Sequence, residues 1–174
     1  MEKVKCVFSK GIVVAENSDR ARDLYNKSSF GSYQAAKLQF TLCETLYLAE
    51  KEKLEVVDGK GKTIPYREFV AKASGIEKDF WTRYCVYRDL RIRGYVVKTG
   101  LKFGAEFRVY GKGKKPGEEH AKWIVYSVNE NNINKWRDFC AKNRVAHSTK
   151  KSLLIGIVDE EGDITYYEST WVKP

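Results

Sequence analysis

Lys150-Lys151-Ser152-Leu153-Leu154-Ile155-Gly156-Ile157-Val158 is a short, almost wholly apolar run that begins with two lysines. Such a run predicts a buried β-strand over 153–158 and places at least one ammonium group at the start of that strand. The next residues, Asp159-Glu160-Glu161-Gly162-Asp163, make an acidic turn, and 164–172 is again extended in pattern. We therefore predict a β-hairpin at the end of the sequence.

The residues before this hairpin alternate between strand and helix patterns. The predicted elements are strands at 95–99, 106–110 and 123–128 and helices at about 77–93 and 132–142. Gly94 occupies the position that commonly ends a helix. Strands that alternate with helices indicate an α/β fold, and the terminal hairpin requires a mixed sheet, which we expect helices to flank.

The first part of the sequence has the same alternation on a smaller scale. The predicted elements are a hairpin of strands at 4–8 and 12–16, strands at 37–40 and 54–57, and helices at 17–27, from Thr41 and from Pro65. Thr41 and Glu44 have the spacing of a capping box. We place a domain boundary near Gly75, which gives an N-terminal α/β domain at 1–75 and a larger domain at 76–174.

The composition is that of a folded, basic protein. Hydrophobic residues make up 43% of the 174 residues, and 32 Lys and Arg against 23 Asp and Glu give a net charge of +9. This excess favours a polyanionic partner such as nucleic acid, although a modest basic excess also serves solubility alone.

The cysteines and the N-terminus indicate the cellular compartment. The four cysteines, Cys6, Cys43, Cys85 and Cys140, form no Cys-x-x-Cys pair, so we interpret them as reduced thiols rather than as a zinc or disulfide framework. The sequence shows neither the apolar segment of a signal peptide nor a run long enough to span a membrane. We expect a cytoplasmic protein with no membrane contact.

Only two histidines are available for acid–base chemistry near neutral pH. His120 follows a basic loop rich in glycine and proline, where a polar side chain can face a ligand, or can simply be solvated. His147 lies beside apolar residues, which fits a structural histidine equally well. Lys151 at the start of a buried strand suits phosphate binding, and a solvated strand end is the alternative.

Two other kinds of site have weaker support in the sequence. Gly59-Lys60-Gly61-Lys62-Thr63 ends like a phosphate-binding P-loop, but the first glycine of that motif would fall on Val56. No zinc or calcium ligand spacing occurs. A metal-dependent nuclease built on Asp89, Glu106 and Arg108 remains an alternative, although the expected acidic-x-Lys triplet is absent.

Three segments resemble the archaeal tRNA-splicing endonuclease family. They are Tyr87–Tyr110 (YRDLRIRGYVVKTGLKFGAEFRVY), Glu119-His120 and Arg144–Ile155 (RVAHSTKKSLLI). The resemblance covers the C-terminal half from about Tyr84 onward. The N-terminal half is compatible with the smaller α/β domain of that family.

The resemblance implies an RNA endonuclease whose catalytic residues are Tyr110, His120 and Lys151. In this mechanism the 2′-hydroxyl of the RNA attacks the adjacent phosphorus, so that neither a metal nor a cofactor is expected. Tyr110 would be the general base, His120 the general acid, and Lys151 the cation that stabilises the added charge. A tyrosine has a reference pKa near 10, so nearby cations must favour its ionised form.

The resemblance also implies how RNA and partner subunits bind. Arg144 and Trp171 would clamp an unstacked bulge base in a precursor tRNA with a bulge-helix-bulge motif. Asp159, Glu160, Glu161 and Asp163 would dock into a basic groove of a neighbouring subunit in a homotetramer, or in a heterotetramer with a related subunit. A non-catalytic RNA-binding or structural subunit of the same assembly is the second possibility.

Overall fold

The computed structural model describes residues 3–173. It divides into two compact units, with the boundary along the chain between Trp81 and Thr82. The elements of the first unit are β1 (Val4–Ser9), β2 (Ile12–Ala15), α1 (Asp19–Ser28), β3 (Ser32–Gln34), β4 (Lys37–Phe40), α2 (Leu42–Glu50), β5 (Leu54–Val57) and α3 (Tyr66–Ile76). Then follow α4 (Phe80–Ile92), β6 (Val96–Thr99), a 3-10 turn (Leu101–Phe103), β7 (Phe107–Tyr110), β8 (Trp123–Asn129), α5 (Trp136–Ser148), β9 (Ser152–Val158) and β10 (Ile164–Ser169). The predicted mixed α/β fold is confirmed. Gly75, where we predicted the domain boundary, lies inside α3.

The N-terminal unit is built on a five-stranded sheet with the order β3-β4-β2-β1-β5. The predicted hairpin is confirmed as β1 and β2, and β5 adds to β1 in parallel. The predicted capping box is also present. The Glu44 N–H donates to Thr41 Oγ1 at 3.1 Å, and the Thr41 N–H donates to Glu44 Oε2 at 2.9 Å. Thr41 and Glu44 therefore satisfy two backbone donors that the start of α2 would leave free.

The C-terminal unit is built on a second five-stranded sheet with the order β10-β9-β8-β7-β6. β8 and β9 are parallel, and the other neighbouring pairs are antiparallel. The sheet is therefore mixed, as the terminal hairpin required. The central β8 is almost fully buried over its first residues, Trp123 to Tyr126, because a strand with neighbours on both sides and helices on both faces has no contact with water.

Helices flank this sheet on both faces. On one face, Tyr87 of α4 lies against Phe107, with ring centroids 5.7 Å apart. On the other face, Ala146 of α5 belongs to a buried cluster that includes Ile124 and Leu153 of the sheet. The prediction of a central mixed sheet flanked by helices is thereby confirmed.

Two of the predicted elements have clearly different bounds in the structure. α5 runs from Trp136 to Ser148 rather than over about 132–142, and two residues beyond its end Lys150 adopts a left-handed φ of 57°. β10 ends at Ser169 rather than continuing to 172. The short β3 was not predicted. None of the helices within residues 3–173 is both long and apolar enough to cross a membrane.

At Gly156 in β9 a side chain of α4 packs directly against the sheet backbone. A Cβ atom there would lie 2.9 Å from Val86 Cγ2 and 3.2 Å from Tyr166 Cε1. Val86 is fully buried, and the Tyr166 hydroxyl donates to Asp89 Oδ2 at 2.9 Å. Neither side chain can retreat freely, so only glycine fits this position.

We expect Gly156→Ala to lower the free energy of unfolding by about 1–3 kcal/mol, because the added methyl group overpacks the interface of β9 with α4. Urea denaturation measures this change. Gly111→Ala is the control in the same unit, since its Cβ would meet only Lys114 Cγ, at 3.7 Å. Equal urea midpoints for the two variants would contradict the close packing of α4.

Candidate active site

Strand register brings Tyr110 and Lys151 to the same edge of the C-terminal sheet. Trp123 at the start of β8 pairs with Val109 of β7 and with Ser152 of β9. Tyr110 and Lys151 are each one position further toward this edge and flank the strand that contains Trp123. Two strand spacings separate their backbones by about 10 Å, a gap that a tyrosine and a lysine side chain can bridge from either side.

The end of α5 holds Lys151 in place. The Lys151 N–H donates to the Ala146 carbonyl at 2.9 Å, and the Lys150 N–H donates to the His147 carbonyl at 3.0 Å. The Lys151 ammonium donates to the Thr149 carbonyl at 2.7 Å and lies 5.1 Å from the ring centroid of Phe103. The lysine is therefore half-buried and oriented, rather than solvated at the end of a strand.

His120 comes from the loop that joins β7 to β8. The loop is braced by an ion pair between Lys114 and Glu119 and by a left-handed Gly117 with a φ of 91°. It ends at the buried Ala121, and the Lys122 N–H then donates to the Val109 carbonyl at 2.8 Å. The His120 side chain is exposed, but its backbone lies one residue from a fixed strand.

These three residues line one pocket of about 320 Å³. The full lining is Phe103, Arg108, Tyr110, Gly117, Glu118, Glu119, His120, Ala121 and Lys151. A hollow of about 730 Å³ in the N-terminal unit is larger, but its walls are mainly apolar and contain none of the predicted site residues. The smaller pocket combines a phenol, an imidazole and an ammonium.

Positive charge is concentrated on one side of this pocket. Burial lowers the pKa of Lys151, and repulsion from Arg108 lowers it further. The Arg108 guanidinium carbon lies 5.8 Å from the ring centroid of Tyr110. Glu119 on the loop side is paired with Lys114, whose pKa this hydrogen bond raises. Such a pocket suits an anion that contacts Tyr110, Arg108 and Lys151 together.

Arg108 was not predicted as part of this site. The signal was nevertheless present in the sequence, because Arg108 and Tyr110 are two residues apart on a predicted strand and therefore point to the same face. Its register partner Ile124 lies in the buried cluster under α5, so this face is the one that α5 covers.

Arg144 and Trp171 lie outside the pocket. Arg144 is exposed on α5, and Trp171 is 60% exposed after the end of β10. The Trp171 ring meets the edge of His147, with centroids 4.5 Å apart. Arg144 and His147 are three residues apart on α5 and share a helix face. The structure therefore brings Trp171 to the face of α5 that carries Arg144, while His147 supports Trp171 and does not line the pocket.

The acidic turn at 159–163 is held together by its first residue. Asp159 Oδ1 accepts hydrogen bonds from the N–H groups of Glu161 at 3.0 Å and of Asp163 at 2.8 Å. The Glu160 N–H donates to Glu130 Oε1 at 2.9 Å. Asp159 thus fixes the turn, and the exposed carboxylates of Glu160, Glu161 and Asp163 remain available to a partner.

The carboxylates of the alternative metal site have partners within the fold. Asp89 accepts from the Tyr166 hydroxyl and, at 2.7 Å, from Arg93 Nε. Glu106 accepts from the Ser127 N–H at 3.2 Å, and burial raises its pKa. Over residues 3–173 no three His, Cys, Asp or Glu side chains are grouped closely enough to hold a metal ion.

Comparison with known proteins identifies the family. A model of the tRNA intron endonuclease catalytic C-terminal domain matches residues 80–166, and a model of the N-terminal domain of the same enzymes matches residues 4–70. The chain belongs to the tRNA intron endonuclease family. The family and the RNA endonuclease class predicted from the sequence are confirmed.

Curated relatives of this family member are archaeal proteins named tRNA-splicing endonuclease. The relative from Thermococcus kodakarensis is 44% identical over 161 residues, which cover 92% of this chain and 94% of the relative. The relative from Methanothermobacter thermautotrophicus is 40% identical, with 94% of each chain covered. The relative from Nanoarchaeum equitans is 42% identical, with 78% of this chain and 90% of the relative covered.

Proposed function

We propose that this endonuclease excises introns from precursor tRNA by cutting at bulge-helix-bulge splice sites, without a metal ion. Family membership and the names of the relatives support the substrate class. One observation supports the mechanism above all others: Tyr110, His120 and Lys151 come from three separate parts of the sequence and line one pocket. These are the residue types that a transesterification on phosphorus requires.

The proposed reaction uses the RNA as its own nucleophile. Tyr110, in its phenolate form, takes the proton of the 2′-hydroxyl as the 2′-oxygen bonds to the adjacent phosphorus. His120, in its protonated form, gives a proton to the 5′-oxygen as the bond from phosphorus to that oxygen breaks. The products are a 2′,3′-cyclic phosphate and a 5′-hydroxyl. Lys151 stabilises the charge that accumulates on the phosphorane between the two events.

The basic side chains that share the pocket with Tyr110 support the proposed mechanism. Positive charges close to a reacting phosphate stabilise the negative charge that develops on it. Arg108 and Lys151 share the pocket with Tyr110, and Lys151 is fixed by its bond to Thr149. His120 supplies an imidazole, the side chain that most often transfers protons in catalysis.

The exposed acidic turn supports an assembly of several subunits. Glu160, Glu161 and Asp163 present carboxylates at the tip of a fixed hairpin on a chain with a net charge of +9. We propose that this turn docks on a basic surface of another subunit in a tetramer of identical or related chains.

The free thiols of Cys6 and Cys43 fit the reducing cytoplasm.

The purified chain alone should cut a bulge-helix-bulge RNA in excess EDTA. The expected ends are a 2′,3′-cyclic phosphate and a 5′-hydroxyl, because no step passes through a metal. Gel mapping with end-group analysis measures this outcome, and native mass spectrometry of the same sample gives the subunit number. Cleavage that EDTA abolishes would favour the metal-dependent alternative, and cleavage only after a second subunit is added would indicate a heteromeric enzyme.

His120→Ala should lower the single-turnover rate at saturating RNA by about 10²-fold or more, because the 5′-oxygen loses its proton donor. His147→Ala is a matched control, since His147 is the other histidine of the sequence and does not line the pocket. Because His147 contacts Trp171, its loss should weaken RNA binding rather than the chemical step, so the rate of this variant at saturating RNA should stay within about twofold of the unmodified enzyme. RNA affinity should stay nearly unchanged in His120→Ala. Equal losses of rate in the two variants would mean that neither histidine has a specific chemical role.

Arg144→Ala should weaken binding of the bulge-helix-bulge RNA by about fivefold to 150-fold, which corresponds to the ~1–3 kcal/mol of one stacked base. Binding of a fully paired RNA should not change, because it offers no unstacked base. Arg137→Ala is the control, since Arg137 is also exposed and lies two helical turns away on the same face of α5. A fluorescence-anisotropy titration measures the affinities. An equal loss in both variants would reduce the role of Arg144 to general charge.

A further inference from the structure

Arg108 carries a polar group that the fold leaves without a partner. Its Nε atom is buried, and within the described residues no acceptor lies within hydrogen-bonding distance of it. A buried donor that makes no hydrogen bond costs free energy, and native structures retain few of them. The rest of the side chain lines the pocket, so an anion that enters the pocket meets a guanidinium group whose donors the fold has not used.

The position of Arg108 directs its guanidinium at the same volume as the three predicted catalytic residues. Arg108 and Tyr110 are on the same side of β7, because they are two residues apart in a strand. The guanidinium carbon lies 5.8 Å from the centroid of the Tyr110 ring. Arg108 also repels the ammonium of Lys151, and this repulsion contributes to the lowered pKa of that lysine.

Arg108 and Lys151 therefore form a pair of neighbouring cations. In the part of the chain that the structure describes, no carboxylate lies within ion-pair distance of either side chain. Glu118 and Glu119 line the same pocket, but Glu119 is paired with Lys114. Within residues 3–173 neither carboxylate forms an ion pair with Arg108 or Lys151. Two like charges held close without a counterion favour the binding of an anion between them. A guanidinium presents two parallel N–H donors that match two oxygens of a phosphate.

We propose that the Arg108 guanidinium binds the scissile phosphate of the RNA and, with Lys151, stabilises the phosphorane formed there. This inference rests on the proposed function and adds a fourth residue to the catalytic site. Attack of the 2′-oxygen raises the charge on the phosphoryl group from one negative charge to two. Arg108 therefore binds the transition state more strongly than the substrate, and its contribution belongs to kcat more than to KM.

The kinetic test compares Arg108→Ala and Arg108→Lys with Arg137→Ala on the bulge-helix-bulge RNA. We expect Arg108→Ala to lower kcat by about 10²-fold or more, as loss of one transition-state donor does, with a much smaller change in KM. Arg108→Lys should lie between Arg108→Ala and the unmodified enzyme, because an ammonium keeps the charge but not the paired donors. Arg137→Ala should match the unmodified enzyme. An unchanged kcat in Arg108→Ala would overturn the proposal, as would a loss confined to KM.

The binding test uses inorganic phosphate and does not depend on cleavage. Phosphate should raise the thermal midpoint of the unmodified protein and of Arg137→Ala by the same amount, compared with sodium chloride of equal ionic strength. The shift should be smaller in Arg108→Lys and absent in Arg108→Ala. A full shift in Arg108→Ala would overturn the proposal, even if its kcat has fallen, because the arginine would then act through positioning.

The two tests also separate this proposal from the proposed function. An unmodified enzyme that fails to cut the RNA would contradict the proposed function, whereas the phosphate shift would still decide whether Arg108 binds phosphate. Without phosphate, the midpoint of Arg108→Ala should equal or exceed that of the unmodified protein, because a buried donor without a partner is removed. A marked fall in that midpoint would identify Arg108 as structural and overturn the proposal.

Discussion

The pairing of Trp123 with both Val109 and Ser152 is the constraint on which the proposed site depends. One residue further toward the same edge of the sheet, Tyr110 lies on one side of β8 and Lys151 lies on the other. A slip of one residue in either pairing would move a side chain to the opposite face of the sheet, which α4 covers. Burial prevents this slip, since Ile124 and Leu153 would then lose their places in the cluster under α5. The apolar core therefore sets the geometry of the polar site.

Helix packing supplies the second requirement, which is that the site residues keep their orientation. α5 ends close to the pocket, and its last carbonyls accept the N–H groups of Lys150 and Lys151. On the other face, α4 approaches so closely that β9 needs a glycine at position 156. With the sheet fixed between the two helices, Lys151 is held by its backbone and by the Thr149 carbonyl. The loss of conformational entropy that orders this long side chain therefore occurs on folding.

Most of the fold followed from local patterns, and most of the errors came from contacts that no local pattern contains. The capping box at Thr41 and Glu44, the hairpin of β1 and β2, and the strand after Lys151 were predicted because each depends on neighbouring residues. The end of α5 was placed too early because the segment after 142 is helical through packing of Val145 and Ala146 on the sheet. Arg108 was missed as a site residue because a cation on a strand is conspicuous only when its burial and its missing partner are known.

The three predicted catalytic residues differ in how firmly the fold holds them, in a way that suits the proposed chemistry. Tyr110 and Lys151 belong to the edge of a packed sheet, where a base and a stabilising cation must hold their positions around phosphorus. His120 is exposed on a loop, and a general acid must reach an oxygen that moves away as its bond to phosphorus breaks. The end of the loop is nevertheless anchored, because Ala121 is buried and the Lys122 N–H donates a hydrogen bond to β7. In the proposed reaction the side chain of His120 can therefore follow the departing oxygen by rotation of its own bonds, while the backbone keeps it beside Tyr110 and Lys151.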